Sequence, residues 1–116
     1  LDFLEALKAS GEYQMFLLSN TNPLHVEQAR YNMGERDFER FRNCFRQFYL
    51  SHEIGMRKPD PEIFEFVLGE NNLSPGETLF IDDTLEHTES ASNLGIRTWH
   101  LQVGRDSILE LHQKLS

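Results

Sequence analysis

Short apolar runs alternate with helix-patterned segments along most of the chain. Four of these runs have the length and composition of buried strands, at residues 15–18, 48–50, 78–81 and 98–101. Between and around them, apolar residues recur every three or four positions, which predicts five or six helices. This alternation is typical of a parallel sheet covered by helices. The sequence therefore predicts an open parallel α/β sheet with helices on both faces.

The predicted helices have recognisable limits and apolar faces. Pro23 and Pro61 stand at helix starts, with Asp60 as an N-cap, and Gly95 ends a helix of residues 85–94. Asp106 is expected to cap a final helix. The faces expected to point to the core are Leu1, Leu4 and Leu7; Val26, Ala29 and Met33; Phe38, Phe41 and Phe45; Ile63, Phe64, Val67 and Leu68; and Ile108, Leu111 and Leu115.

Composition limits the classes of function. The 116 residues suit one domain, and a net charge of −8 argues against a protein that binds nucleic acid. The single cysteine, Cys44, forms no internal disulfide and is expected in the core, and the five histidines lack zinc-site spacing. No apolar run approaches the roughly 20 residues that span a bilayer. We therefore expect a cytoplasmic protein without membrane or nucleic-acid partners.

Unusual polar residues follow the apolar runs. Ser19 and Asn20 end the first predicted strand, and Asp82 and Asp83 end the third. Lys58 lies just beyond the second strand and precedes a proline. Ligands of open α/β sheets bind at the carboxyl ends of the strands, so these groups are expected to share one crevice. Two adjacent carboxylates raise each other's pKa unless a cation compensates, which favours a metal there.

Each feature also has an ordinary structural explanation. Residues 19–22 can form a turn and a helix cap, because Ser, Thr and Asn bond the local backbone. Lys58 can be a solvated loop residue, and Asp82 with Asp83 can stabilise the start of the next helix. The order and spacing of the three features together favour a functional site.

Three segments resemble the haloacid dehalogenase superfamily. Residues 16–20 (FLLSN) are similar to the second motif of that family, and residues 55–64 (GMRKPDPEIF) to the third. Residues 79–83 (LFIDD), together with the predicted helix that follows them up to residue 96, are similar to the fourth motif. The resemblance covers residues 11–101 and implies a Rossmann-like core.

The resemblance implies a magnesium-dependent phosphatase that acts through an aspartyl phosphate. In that scheme Ser19 and the backbone N–H of Asn20 bind a phosphoryl oxygen, and Lys58 neutralises charge between the nucleophile and the phosphoryl group. Asp83 binds Mg²⁺ directly, and Asp82 lies beside the metal or acts through a water. The expected substrate is a small phosphorylated metabolite.

The sequence departs from the family pattern in two ways. No Asp-x-Asp strand end, the family's first motif and its nucleophile, precedes Ser19. We therefore expect residues 1–116 to be the C-terminal portion of a core domain whose central first strand and cap lie elsewhere, and the chain alone to be inactive. His87 also stands where the family often has Asn.

Three alternatives share some of these features. A metal-independent dehalogenase of the same superfamily shares the Ser, Asn and Lys but usually lacks the paired aspartates. A two-component receiver domain has its acidic pair before its Lys-Pro, and the reverse order of Lys58 and Asp82 counts strongly against that class. A non-catalytic relative that acts as a binding module is favoured only by the missing nucleophile.

Overall fold

The computed structural model of the chain describes residues 2–102. Contacts divide the chain into two compact units, Leu1–Met56 and Arg57–Ser116, which we call the first and second units and treat separately. Leu1 and the predicted final helix, with Asp106, Ile108, Leu111 and Leu115, lie outside the described residues. That residues 1–116 belong to one core domain stays a prediction.

The first unit contains two parallel strands and four helices. These elements are α1 (Asp2–Ala9), β1 (Phe16–Ser19), α2 (Pro23–Met33), α3 (Glu35–Asn43), β2 (Gln47–Leu50) and the short α4 (Ser51–Ile54). Strand β1 pairs with β2 in parallel, with Ser19 opposite Leu50. Both strands therefore end at the same edge, and the residues that follow them lie close together there.

Aromatic rings form much of the core of the first unit, as the nine phenylalanines suggest. Phe41 contacts Phe45 and Phe48 edge-on, with ring centroids 5.2 and 5.9 Å apart. Phe38 and Cys44 are buried. The prediction that Phe38, Phe41, Phe45 and Cys44 are packing residues is confirmed.

The predicted core face of α2 is wrong. No residue of α2 is buried, and Ala29 and Met33 are exposed. This helix packs mainly against α3, most of whose residues are charged and in which Phe38 is buried. The guanidinium of Arg30 lies 4.9 Å from the centroid of the Phe38 ring, so a cation–π contact takes the place of aliphatic packing.

The second unit contains the other parallel pair. Its elements are α5 (Pro61–Asn71), a 3₁₀ turn (Pro75–Glu77), β3 (Leu79–Asp82), α6 (Leu85–Asn93) and β4 (Arg97–His100). Strand β3 pairs with β4 in parallel, with Asp82 opposite His100. Ile63, Phe64, Ala91, Ile96 and Trp99 are buried and form its core.

The structure confirms four strands close to the predicted positions and their parallel direction. Within residues 2–102, β1 pairs with β2 and β3 pairs with β4. Asp60 precedes α5 as predicted but makes no side-chain cap bond, and Gly95 follows α6 with a φ of 87°. Helix α4 was not predicted, because a single helical turn is too short to show a repeating pattern of apolar residues.

Across the described residues, no helix has the length and apolar character needed to cross a bilayer.

Candidate active site

In the first unit, the carboxyl end of β1 leads directly into a capped helix. Ser19 is the last residue of β1 and is partly buried, as is Asn20 after it. Asn22 caps α2 by accepting a hydrogen bond from the backbone N–H of His25 at 2.9 Å. The segment from Ser19 to Asn22 is therefore anchored at both ends, by the strand and by the helix cap.

Ser51, the first residue after the neighbouring strand β2, makes hydrogen bonds to the same segment. The backbone N–H of Thr21 donates to Ser51 Oγ at 2.8 Å, and Ser51 Oγ donates to the carbonyl oxygen of Thr21 at 2.9 Å. Because β1 and β2 end at one edge, the first residue after β2 lies beside the second residue after β1. This role of Ser51 was not predicted from the sequence, although a polar residue directly after a buried strand was an available signal.

Replacing Ser51 with alanine removes both of these hydrogen bonds. We expect the free energy of unfolding to fall by roughly 1–3 kcal/mol, because each of the two bonds contributes about 0.5–1.5 kcal/mol. Chemical denaturation followed by circular dichroism measures the change. The exposed neighbour His52 supplies the control: His52→Ala is expected to change stability little, and equal losses for both variants would contradict the proposed support.

In the second unit, Lys58 and Asp82 form a buried ion pair. Lys58 Nζ lies 2.5 Å from Asp82 Oδ2, and the two side chains are only 10% and 6% exposed. The ammonium also lies 5.6 Å from the centroid of the Phe80 ring, which packs edge-on against Phe64. Lys58 is thus not a solvated loop residue. Buried charges of this kind persist only when each is paired and hydrogen-bonded.

Two further donors complete the surroundings of Asp82. The backbone N–H of Thr84 donates to Oδ1 at 2.8 Å, and His87 Nδ1 lies 3.2 Å from Oδ2. Burial alone would raise the pKa of Asp82, but the hydrogen bonds from Lys58, Thr84 and His87 outweigh it and lower that pKa. Asp82 is therefore an ionised, internally satisfied carboxylate.

Asp83 is in a different environment although it is the next residue. It is exposed, and among the described contacts its carboxylate accepts only a long 3.4 Å hydrogen bond from Thr84 Oγ1. His100 Nε2 donates to its backbone carbonyl at 3.1 Å, which fixes the main chain. The ammonium of Lys58 supplies a compensating cation for Asp82. That Asp83 binds Mg²⁺ directly, with Asp82 beside the metal or acting through a water, stays a prediction.

The structure thus brings together three of the five predicted site residues. Lys58 and Asp82 are in direct contact, and Asp83 follows at the end of β3. His87 joins them through Asp82. Ser19 and Asn20 belong to the first unit, and their convergence with the others stays a prediction.

Comparison with known proteins identifies the family. The family model described as a haloacid dehalogenase-like hydrolase matches residues 1–95. This chain belongs to the haloacid dehalogenase-like hydrolases, which confirms the predicted family and its α/β fold.

Two named relatives, both phosphatases, are about twice as long as this chain. A D-ribitol-5-phosphate phosphatase of Bacteroides thetaiotaomicron is 34% identical over 111 residues, which are 96% of this chain and 53% of that protein. The sesquiterpene phosphatase astK of Aspergillus oryzae is 35% identical over 110 residues, or 95% of this chain and 53% of the relative. The chain therefore spans about half the length of the curated relatives it matches.

A solved structure shows the same fold. It is a haloacid dehalogenase family enzyme of Bacteroides thetaiotaomicron in complex with magnesium and inorganic phosphate. The TM-score is 0.75 with 36% identity, covering 90% of this chain and 52% of that one.

Proposed function

We propose that this chain is the C-terminal portion of a magnesium-dependent phosphatase that hydrolyses a small phosphorylated metabolite in the cytoplasm. The observation that carries the proposal is the buried Lys58–Asp82 pair at the end of β3, with the exposed residue Asp83 next in the chain. Two relatives named as phosphatases and a related structure with magnesium and phosphate support it. The free thiol of Cys44 fits a reducing compartment.

The proposed reaction needs an aspartate from outside residues 1–116. Its carboxylate attacks phosphorus, the bond from phosphorus to the leaving oxygen breaks, and an aspartyl phosphate forms. Water then attacks phosphorus, which releases phosphate and regenerates the carboxylate. In this scheme Ser19 Oγ and the backbone N–H of Asn20 donate to a phosphoryl oxygen, and the ammonium of Lys58 offsets the negative charge between nucleophile and phosphoryl group.

Asp83 has the chemistry of a direct Mg²⁺ ligand. Its carboxylate is exposed and bears only one long hydrogen bond among the described contacts, whereas both oxygens of Asp82 already accept bonds from Lys58, Thr84 and His87. Within residues 2–102 no group of three metal-binding side chains occurs. This set suits Mg²⁺, which commonly uses one or two carboxylates and completes its shell with water and substrate phosphate. Bound Mg²⁺ would reduce the repulsion between the anionic nucleophile and the phosphate.

Metal removal tests this function and separates it from the dehalogenase alternative. We expect the complete protein that carries residues 1–116 to hydrolyse p-nitrophenyl phosphate, to lose that activity in EDTA and to regain it on addition of excess Mg²⁺. Phosphate release and halide release from a 2-haloacid are measured side by side. Halide release that persists in EDTA, without phosphatase activity, would establish the dehalogenase, and no turnover of either substrate would favour a binding module.

A further inference from the structure

His87 stands where the family often has Asn, and its imidazole faces the buried ion pair. It is the third residue of α6, and its side chain is only 16% exposed. Its backbone N–H already bonds to Thr84 O at 3.1 Å, so the helix start does not require the ring. The ring nitrogen Nδ1 nevertheless lies 3.2 Å from Asp82 Oδ2. A purely structural role in capping α6 therefore leaves this contact unexplained.

Asp82 Oδ2 is the same oxygen that binds Lys58 Nζ at 2.5 Å. An ionised carboxylate only accepts hydrogen bonds, so His87 Nδ1 must carry a proton to make this contact. An ammonium gives little directional restraint, because it is a compact charge on a flexible stem. The planar imidazole and the Thr84 N–H therefore define the orientation of the Asp82 carboxylate, and Asp82 defines the position of Lys58.

We propose that His87 is a positioning residue that acts through Asp82 to hold the Lys58 ammonium where the reaction needs it. This inference rests on the proposed phosphatase function. If His87 has this role, its substitution should lower turnover and change substrate and metal affinity little. The reason is that the imidazole contacts the buried carboxylate of Asp82, whereas the carboxylate proposed to bind the metal is that of Asp83.

Three variants of His87 separate the position of the donor from the bulk of the side chain. Asn places its amide nitrogen near the position of Nδ1, Gln places it near Nε2, and Leu has no donor. In the complete protein we expect kcat for p-nitrophenyl phosphate to fall about tenfold in His87→Leu and His87→Gln, with KM and the Mg²⁺ activation constant changed less than about twofold. His87→Asn should keep kcat within about threefold of the wild type.

A double-mutant cycle tests whether His87 acts through Lys58. Lys58→Arg retains a cation but displaces it, so His87→Leu is expected to lower kcat less than about twofold in that background. Equal tenfold losses in both backgrounds would overturn the proposal, as would a kcat for His87→Asn as low as that for His87→Leu. If His87→Leu unfolds, the comparison of the Asn and Gln variants decides the matter.

A measurement without turnover separates failure of this inference from failure of the proposed function. Nitrogen-15 NMR of the histidine rings at neutral pH is expected to show His87 with its proton on Nδ1, and Asp82→Asn is expected to shift that resonance. A wild-type protein without phosphatase activity but with this tautomer would reject the phosphatase and retain the His87–Asp82 contact. A proton on Nε2, with no response to Asp82→Asn, would overturn the positioning role whatever the activity.

Discussion

Replacing Lys58 with methionine is expected to lower the free energy of unfolding by about 3–5 kcal/mol, because it leaves the buried Asp82 carboxylate without its cation. The same substitution should lower turnover of p-nitrophenyl phosphate by about 10²–10³-fold, since a charge that offsets the phosphoryl group is lost. Methionine is nearly as long and fills the space beside Phe80, so loss of packing adds little. Denaturant unfolding and steady-state kinetics of the complete protein measure the change in stability and the change in turnover.

The double variant Lys58→Met/Asp82→Asn separates stability from catalysis. It removes both charges, and the amide oxygen introduced at position 82 can still accept from the Thr84 N–H, so most of the lost stability should return. Turnover should stay as low as in Lys58→Met. Full recovery of activity in the double variant would show that Lys58 acts only on the fold.

Because the pKa of Asp82 is lowered, the stability difference between the wild type and Lys58→Met should depend on pH. Folding lowers the pKa of the Asp82 carboxyl group. Such a group contributes its full stabilisation when the pH is above its pKa in the unfolded chain, about 3.9. The contribution is lost as the pH falls through the lower pKa of the folded protein. In Lys58→Met, the buried Asp82 carboxyl without its cation should take up a proton at higher pH than it does in the wild type. The stability difference between the two proteins should therefore shrink as pH falls. A difference that does not change with pH would contradict the ion pair.

Replacing Asp83 with asparagine is expected to abolish Mg²⁺-supported phosphatase activity and leave the fold intact. The side chain is exposed and its one described bond is long, so the free energy of unfolding should change by less than about 0.5 kcal/mol. A neutral amide is a much weaker Mg²⁺ ligand than a carboxylate. Activity is measured across a titration of Mg²⁺, because weakened binding shifts the activation curve to higher concentration.

Glu86→Gln is the matched control for Asp83→Asn. Glu86 is an exposed acid in the first turn of α6, and its substitution changes the net charge by the same amount. We expect its Mg²⁺ activation curve to match that of the wild type. Near-wild-type turnover by Asp83→Asn, or equal losses in both variants, would show that the metal assignment is wrong.

The sequence was most informative about where the strands end. Apolar runs followed abruptly by polar residues located Ser19 at the end of β1 and Asp82 at the end of β3, because a buried strand must stop where polar side chains can be satisfied. The parallel direction followed from the intervening helices. The family resemblance then supplied roles for Lys58 and Asp83 that spacing alone left open.

Other features depend on tertiary contacts that local pattern does not encode. Asp82 and Asp83 are adjacent and chemically identical, but Lys58, from 24 positions earlier, pairs with Asp82 and leaves Asp83 as the exposed ligand candidate. The partner of Ser51 lies 30 positions earlier. In α2 the apolar pattern suggested burial, but the helix packs on the charged α3, so no residue of α2 is buried.

A crystal structure of the complete protein with Mg²⁺ and orthophosphate is the most direct measurement of the proposed site. We expect one phosphate with Ser19 Oγ and Lys58 Nζ each about 3 Å from its oxygens, and Asp83 bound to the metal at about 2.1 Å. A phosphate held away from Lys58, or a Mg²⁺ ion without Asp83 among its ligands, would contradict it.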